Sequence, residues 1–315
     1  MANLYYIQVT RECNQKCRFC SNLPNKEFLT QKKGKDLIDL YRKQGCDGLI
    51  FTGGEPTLSP YLIDFIKYAK SKKIPNRIVT NGQKLADFNY LKSLQEAGLN
   101  HLHVSLYSVK EKIQDFLTKN AGSFKNVLKA LNNLRKIPKI TVDINTVINH
   151  YNADHLLENV RFICENFSFI NHFVWNNLDP STSRAQKNKD TIPKLADFEL
   201  SLYQAMTYLA SHNKTFRVER VPLCYLPNFE HVSTETRKIV KKEDRSTFFL
   251  DKRGFLNEKD WEHKWGYSKA ECCDYCSLKT ICAGLFQRDK YYFSEELSPV
   301  FVSKKEIVKK ILANP

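Results

Sequence analysis

Three thiols stand within eight residues, Cys13, Cys17 and Cys20, in the run Thr10-Arg11-Glu12-Cys13-Asn14-Gln15-Lys16-Cys17-Arg18-Phe19-Cys20. Thiolates are the usual protein ligands of iron–sulfur clusters, and a short loop can bring three sulfurs around one cubane. A [4Fe–4S] cluster held by three thiols keeps one iron open, where a small molecule can be chelated and given one electron. The other reading is a structural zinc site, or three buried cysteines acting as small hydrophobes. Zinc sites usually pair two thiols with a second pair elsewhere, and neither a histidine nor a fourth cysteine lies near this loop.

The spacing Cys-x3-Cys-x2-Cys, with the aromatic Phe19 just before the last cysteine, resembles the cluster loop of the radical S-adenosylmethionine (radical SAM) superfamily. A second run, Thr52-Gly53-Gly54-Glu55-Pro56-Thr57-Leu58, follows the apolar segment Gly48–Phe51. Two glycines after a strand let the backbone approach a ligand, and Glu55 supplies a carboxylate acceptor. Such a run is also a common turn. Lying beyond the cysteines and after another strand, Gly53, Gly54, Glu55 and Pro56 resemble the family's segment that holds the SAM amino group.

With 315 residues and 42% hydrophobic composition, the chain can bury a sizeable core in one large α/β domain plus a smaller appendage. Met1-Ala2-Asn3 leads straight into a strand-like segment without an export signal, so ten clustered cysteines point to metal rather than to disulfides. No apolar run approaches a membrane span, and a cytoplasmic location is expected. Forty-nine basic against thirty-four acidic residues give +15. The plain reading is a lysine-rich solvated surface. It would also attract an acidic electron donor of the flavodoxin or ferredoxin kind, or an acidic peptide. No aromatic-interleaved basic stripe supports nucleic acid.

To about residue 180 the periodicity alternates strands (Leu4–Thr10, Gly48–Phe51, Arg77–Thr80, His101–Leu106, Ile140–Val147, Phe169–Trp175) with helices near Gln31–Gln44, Pro60–Ser71, Phe88–Ala97, Ser123–Arg135 and Asp154–Asn166. Strands joined by helical crossovers predict a parallel sheet. The resemblance implies a partial (β/α)6 barrel over 1–180 with its site at the C-terminal strand ends. Polar groups there are Asn81, Ser105 with Ser108, Asn145, and Asn176 with Asn177. Each alone reads as a turn former or a satisfied strand residue. As a set, Asn81, Ser105, Asn145 and Asn176 resemble the family's positions for the SAM ribose, carboxylate and adenine.

Beyond Ser181 the polar run 181–188 reads as a loop and Lys194–Ser211 as an amphipathic helix, so 181–215 is expected to be a linker and helix. Phe216–Pro222 and Ser246–Leu250 suggest a short hairpin opening a small α+β domain over 216–315 that ends in a helix. In this segment Cys273-x2-Cys276-x5-Cys282, with Cys224 upstream, resembles the SPASM and twitch extensions of radical SAM enzymes. That resemblance implies one auxiliary [4Fe–4S] cluster on Cys224, Cys273, Cys276 and Cys282. Cys272 is spare or replaces Cys273. A full SPASM extension holds two clusters on about seven cysteines, and here five are available. Zinc on the same four thiols is the competing reading. Cys46 and Cys164 sit in helical patterns as core cysteines.

The implied chemistry is one-electron cleavage of SAM and hydrogen abstraction from an unactivated carbon, with no general base. The first substrate expectation is a ribosomally made peptide undergoing cross-linking, epimerisation or oxidation. A chain that starts at its first strand has no leader-binding domain of its own, so a separate leader-peptide-binding protein is expected. The alternatives are a small-molecule or nucleotide substrate in cofactor or natural-product synthesis, and a non-catalytic metal scaffold that binds nucleic acid.

Overall fold

The computed structural model describes residues 3–22, 25–243, 245–250, 255–257 and 266–313. Its elements run β1 (Leu4–Thr10), α1 (Gln31–Lys43), β2 (Gly48–Gly53), α2 (Leu62–Ser71), β3 (Asn76–Thr80), α3 (Phe88–Ala97), β4 (His101–Ser105), α4 (Glu111–Thr118), α5 (Ser123–Arg135), β5 (Thr141–Ile148), α6 (Leu156–Asn166) and β6 (His172–Asn177). They continue with α7 (Ser183–Lys187), α8 (Leu195–Ser211), β7 (Thr215–Glu219), α9 (Thr234–Lys241), β8 (Arg245–Phe248), β9 (Phe255–Asn257), β10 (Tyr267–Ser268), β11 (Leu285–Phe286) and α10 (Lys304–Ala313).

The main sheet has the order β7-β6-β5-β4-β3-β2-β1-β8-β9 and is curled, with β1 to β8 all parallel and β9 antiparallel to β8. This is an α/β half-barrel on a parallel sheet: the pattern of strands and helices predicts the parallel sheet, and the resemblance implies its curling into a partial barrel. Alternation along each strand builds two faces. In β6, Phe173 and Trp175 are buried, while His172, Val174 and Asn176 line the concave lumen. In β3, Ile78 points to the core, and Arg77 and Val79 to the lumen. The helices cover the convex face. In α1, for example, Thr30 caps the first turn by accepting from Lys33 N, and Leu37, Ile38 and Tyr41 are buried one helical turn apart.

Two expectations need correction. Phe216–Pro222 and Ser246–Leu250 do not form a hairpin together. Their strands, β7 and β8, sit at opposite sides of the six-stranded set, β7 beside β6 and β8 beside β1, each in parallel register. Helix α8 returns the chain to pair β7 with β6, and β7 continues the alternation of β6, so the sheet extends past residue 180. The run 181–188 is not all loop either, because Thr182 accepts from Ala185 N and starts α7.

The cluster loop and the glycine turn are joined at the top of the barrel. Gly54 N donates to Thr10 O and Glu55 N to Glu12 O, both at 2.8 Å. A Cβ on Gly53 would lie 2.0 Å from Thr10 O, and one on Gly54 would lie 2.1 Å from Glu12 O. Hence these glycines admit the chain's own cysteine loop, a packing role that the sequence reading did not give them. Gly54→Ala forces backbone apart, at a cost of about 1–3 kcal/mol by analogy with overpacked cores. The expected outcome is a fall of several degrees in Tm by circular dichroism. An unchanged Tm would show that the two segments are not held together.

Candidate active site

The loop from Cys13 to Cys20 hangs from β1 and is fastened by groups distant in sequence. Lys16 N donates to Thr118 O and Arg18 N to Leu117 O, the open carbonyls at the end of α4. Gln15 Nε2 donates to Ser123 Oγ at 2.9 Å, and Arg184 from α7 reaches Cys17 O at 3.4 Å. Phe19 is buried with Leu117, Leu178 and Ala185, and its ring meets Tyr107 edge-on at 4.9 Å. Gln15 N and Asn81 Nδ2 donate to Cys13 Sγ at 3.4 and 3.9 Å. Burial pushes the Cys13 thiol up to about 11 and Cys17 higher still; the neighbouring thiols add to both, and Arg184 opposes them. Buried thiols such as Cys13 and Cys17 become thiolates together when a cation neutralises them, the condition that iron ligation meets.

Glu55 differs from expectation in its aim. It is 1% exposed, and its Oε1 accepts from Thr57 N, Thr57 Oγ1 and Thr80 Oγ1, while Oε2 accepts from Asn81 N at 2.7 Å. Burial raises its pKa and these donors oppose the rise. The carboxylate therefore ties the glycine turn to the end of β3 and leaves acceptor capacity only on Oε2. Pro56 opens the short turn that Glu55 caps.

The other predicted polar residues fall into two groups. Asn81 joins the cluster loop, donating to Asn14 Oδ1 at 2.7 Å. Ser105 and Asn145 are register partners on β4 and β5, and Asn176 Nδ2 donates to Asn145 Oδ1 at 2.7 Å. Asn145 and Asn176 line the lumen, a cavity of about 790 Å³ that also takes in Arg77, His103, His172, Arg217 and Arg220. Ser108 is turned away into a buried pair with His155 Nε2 at 2.9 Å. Sequence reading missed Tyr107, half-buried beside the three thiols and hydrogen-bonded to Ser105, as well as Arg184 and α4. An aromatic residue directly past a barrel strand was the available signal for Tyr107.

The second thiol set converges from distant segments. Cys224, Cys273, Cys276 and Cys282 line one small cavity together with Lys269 and Lys279; Cys272 does not line it. Backbone N–H groups aim at the sulfurs: Val300 N at Cys276 Sγ and Gly284 N at Cys282 Sγ, each 3.4 Å, and Ser298 N at Cys224. Burial pushes Cys224 up to about 12. Peptide donors around four thiols, with the positive charge of Lys269 favouring the Cys282 thiolate, suit an anionic metal–thiolate centre. Among the described residues neither thiol set closes to within 4.8 Å. Zinc–sulfur bonds of about 2.3 Å require sulfurs about 3.8 Å apart in a tetrahedron, so both sets are wider than one zinc ion needs. Cys46 and Cys164 pack against the core as the helical pattern suggests.

The profile described as Radical SAM superfamily matches residues 7–163. Fe-coproporphyrin III synthase of Methanosarcina barkeri is 35% identical over 149 residues, 46% of this chain and 37% of that protein. GTP 3′,8-cyclase of Aquifex aeolicus is 29% identical over 166 residues, 50% of this chain and 51% of that protein. The chain thus aligns with about half or less of these relatives' length. The crystal structure of Streptococcus suis SuiB bound to precursor peptide SuiA superposes with a TM-score of 0.68 at 17% identity, over 94% of this chain and 75% of that one. Such low identity shows a shared fold alone. No described helix is long and apolar enough to cross a membrane.

Removing the Glu55 carboxylate strands buried donors on Thr57, Thr80 and Asn81, at about 1–3 kcal/mol for each group left unsatisfied. Glu55→Ala should therefore lower the Tm of the metal-free protein, before SAM is involved. A variant as stable as the parent, with weaker SAM binding only, would instead make Glu55 a dedicated ligand of the SAM ammonium.

Proposed function

Because the chain belongs to the radical SAM superfamily and is a radical SAM enzyme, we propose that it modifies a ribosomally made peptide and carries one auxiliary [4Fe–4S] cluster of the SPASM or twitch kind. In this reading Cys13, Cys17 and Cys20 hold the catalytic cluster with its open iron, and Cys224, Cys273, Cys276 and Cys282 hold the auxiliary one. The catalytic cluster, when bound, supplies one electron to SAM and so the 5′-deoxyadenosyl radical that takes hydrogen from the substrate.

The chain's own residues position and shield. Backbone groups of Gly53 and Gly54 and the free acceptor of Glu55 Oε2 stand beside the cysteine loop for the SAM ammonium. Ser105, Asn145 and Asn176 offer donors and acceptors for its ribose, carboxylate and adenine. Phe19 and Tyr107 exclude water beneath the loop. A four-thiolate auxiliary centre has no open iron, which suits it to accept an electron from a substrate radical or to position substrate.

The observation that carries this reading is the gathering of Cys224, Cys273, Cys276 and Cys282 around one cavity, with backbone donors aimed at sulfur, in a region beyond the family profile. Support for a peptide comes from likeness in fold over nearly the whole chain to SuiB, a protein crystallised with its precursor peptide. A nucleotide or other small molecule is the second reading, favoured by the match to GTP 3′,8-cyclase and by Arg77, Arg217 and Arg220 in the lumen. An acidic flavodoxin or ferredoxin is the proposed electron donor for this +15 chain, and a separate protein the proposed leader reader.

Anaerobically reconstituted protein should bind about eight irons per chain, by the four-iron stoichiometry of each cubane, and produce 5′-deoxyadenosine from SAM and dithionite. Cys17→Ala should abolish SAM cleavage. Cys276→Ala should keep uncoupled cleavage at about four irons, and Cys272→Ala should keep about eight. Zinc at the C-terminal site, or loss of iron in Cys272→Ala but not in Cys273→Ala, would overturn the ligand assignment.

A further inference from the structure

At the opposite end of the lumen from the cysteine loop, β4 and β5 bring together a group that the radical chemistry does not use. His101 and His103 lie two residues apart on β4, and Asp143 is the register partner of His103 on β5. One atom from each, taken together, falls within 4.8 Å of the other two, the only such set of three His, Cys, Asp or Glu donors among the described residues. His101 Nε2 is 2.7 Å from Asp143 Oδ2, and His103 Nε2 is 3.5 Å from the same oxygen. The two imidazoles are stacked, 4.9 Å apart with an angle of 11° between their planes, and both present Nε2 to one carboxylate.

The arrangement is incomplete as a hydrogen-bond network. His103 Nε2 is buried and, despite lying near Asp143, makes no hydrogen bond. A buried ring nitrogen without a partner costs free energy that a ligand would recover. Zinc bonds to nitrogen and oxygen of about 2.0–2.2 Å place tetrahedral donors about 3.3–3.5 Å apart. His103 and Asp143 already stand at that separation, and His101 must move back from Asp143 by under about 1 Å and turn its ring, now parallel to that of His103, for both imidazoles to converge on one ion. His103 borders the lumen, so a fourth position faces the substrate space.

We propose that His101, His103 and Asp143 form a mononuclear site for a divalent zinc-type ion on the barrel floor, with one coordination position open to the lumen. The ion joins β4 to β5 where the strands begin and offers a Lewis-acidic contact for an oxygen of whatever substrate fills the barrel. Two imidazoles and a carboxylate with an open position are the donor set of many zinc sites. The positive charges of Arg77 and Arg217 on the same lumen oppose a free cation but favour an anionic group bound to it.

The test uses the reconstituted holoprotein, passed over a chelating resin, incubated with one equivalent of Zn2+, desalted anaerobically and examined by metal analysis and zinc K-edge absorption. The expected result is one zinc retained per chain with a shell of nitrogen and oxygen at about 2.0–2.1 Å and no sulfur at about 2.3 Å. His103→Ala and, as a second and gentler change, Asp143→Asn should each lose that zinc and keep the iron content of the parent. A sulfur shell would put zinc on the C-terminal thiols, overturning this site and the auxiliary cluster together. No retained zinc, or zinc retained equally by both variants, would overturn this site alone.

Discussion

Everything at the top of the barrel depends on the close apposition of two backbone segments, Thr10 to Glu12 and Gly53 to Glu55. Two peptide hydrogen bonds join them, and neither glycine leaves room for a side chain. The contact fixes where the cysteine loop leaves β1. Glu55 carries the constraint one strand further, since its carboxylate accepts from Thr80 and Asn81 at the end of β3. Asn81 then returns to the loop through Asn14 and Cys13. Strands β1, β2 and β3 are thereby closed into a ring of contacts around the first thiol. A carboxylate buried in this way is expensive unless fully hydrogen-bonded, and its three partner residues are what make the burial tolerable.

The other side of the loop is held by residues that only the tertiary fold brings near. The carbonyls of Leu117 and Thr118 at the end of α4, the Ser123 hydroxyl, and Arg184 of α7 fix the segment between Cys13 and Arg18. Cys13 and Cys17 line a cavity of their own with Arg184, Lys187 and Asn188, and the polar groups of the main lumen change along its length. Ser105, Asn145 and Asn176 lie toward the strand ends, and His101, His103, Asp143 and His172 lie toward their beginnings. A parallel sheet with helices outside produces this division, because every strand enters at the floor and leaves at the site.

What could be read from the sequence follows the range of the interactions involved. Strand β1 runs from Leu4 to Thr10 as its pattern predicts, and β1 to β6 are all present, because local alternation and helix caps specify them. Cys13, Cys17 and Cys20, like Cys273, Cys276 and Cys282, stood out because each group is close in sequence, whereas Cys224 joins the second group only through folding. Strands β7 and β8 were misjudged as a hairpin because short apolar runs do not reveal their partner, and here the partners β6 and β1 are far away in the chain. The aim of Glu55 could not be read because two of its donors, on Thr80 and Asn81, come from the end of β3, and folding alone shows that Cys273, not Cys272, shares a cavity with Cys224 and Cys282. Tyr107 and Arg184 were missed for the same reason. Neither belongs to a spaced motif, and each matters only through what folding sets beside it.

The central claim is that two thiol sets hold centres of different kind, one able to take SAM and one closed. Electron paramagnetic resonance of the dithionite-reduced, reconstituted protein, recorded with and without SAM, tests it most directly. The account predicts two signals from reduced clusters, with SAM shifting the one that disappears when Cys13, Cys17 and Cys20 are replaced and leaving the other unchanged. A single signal, or two signals that SAM leaves alike, would contradict it.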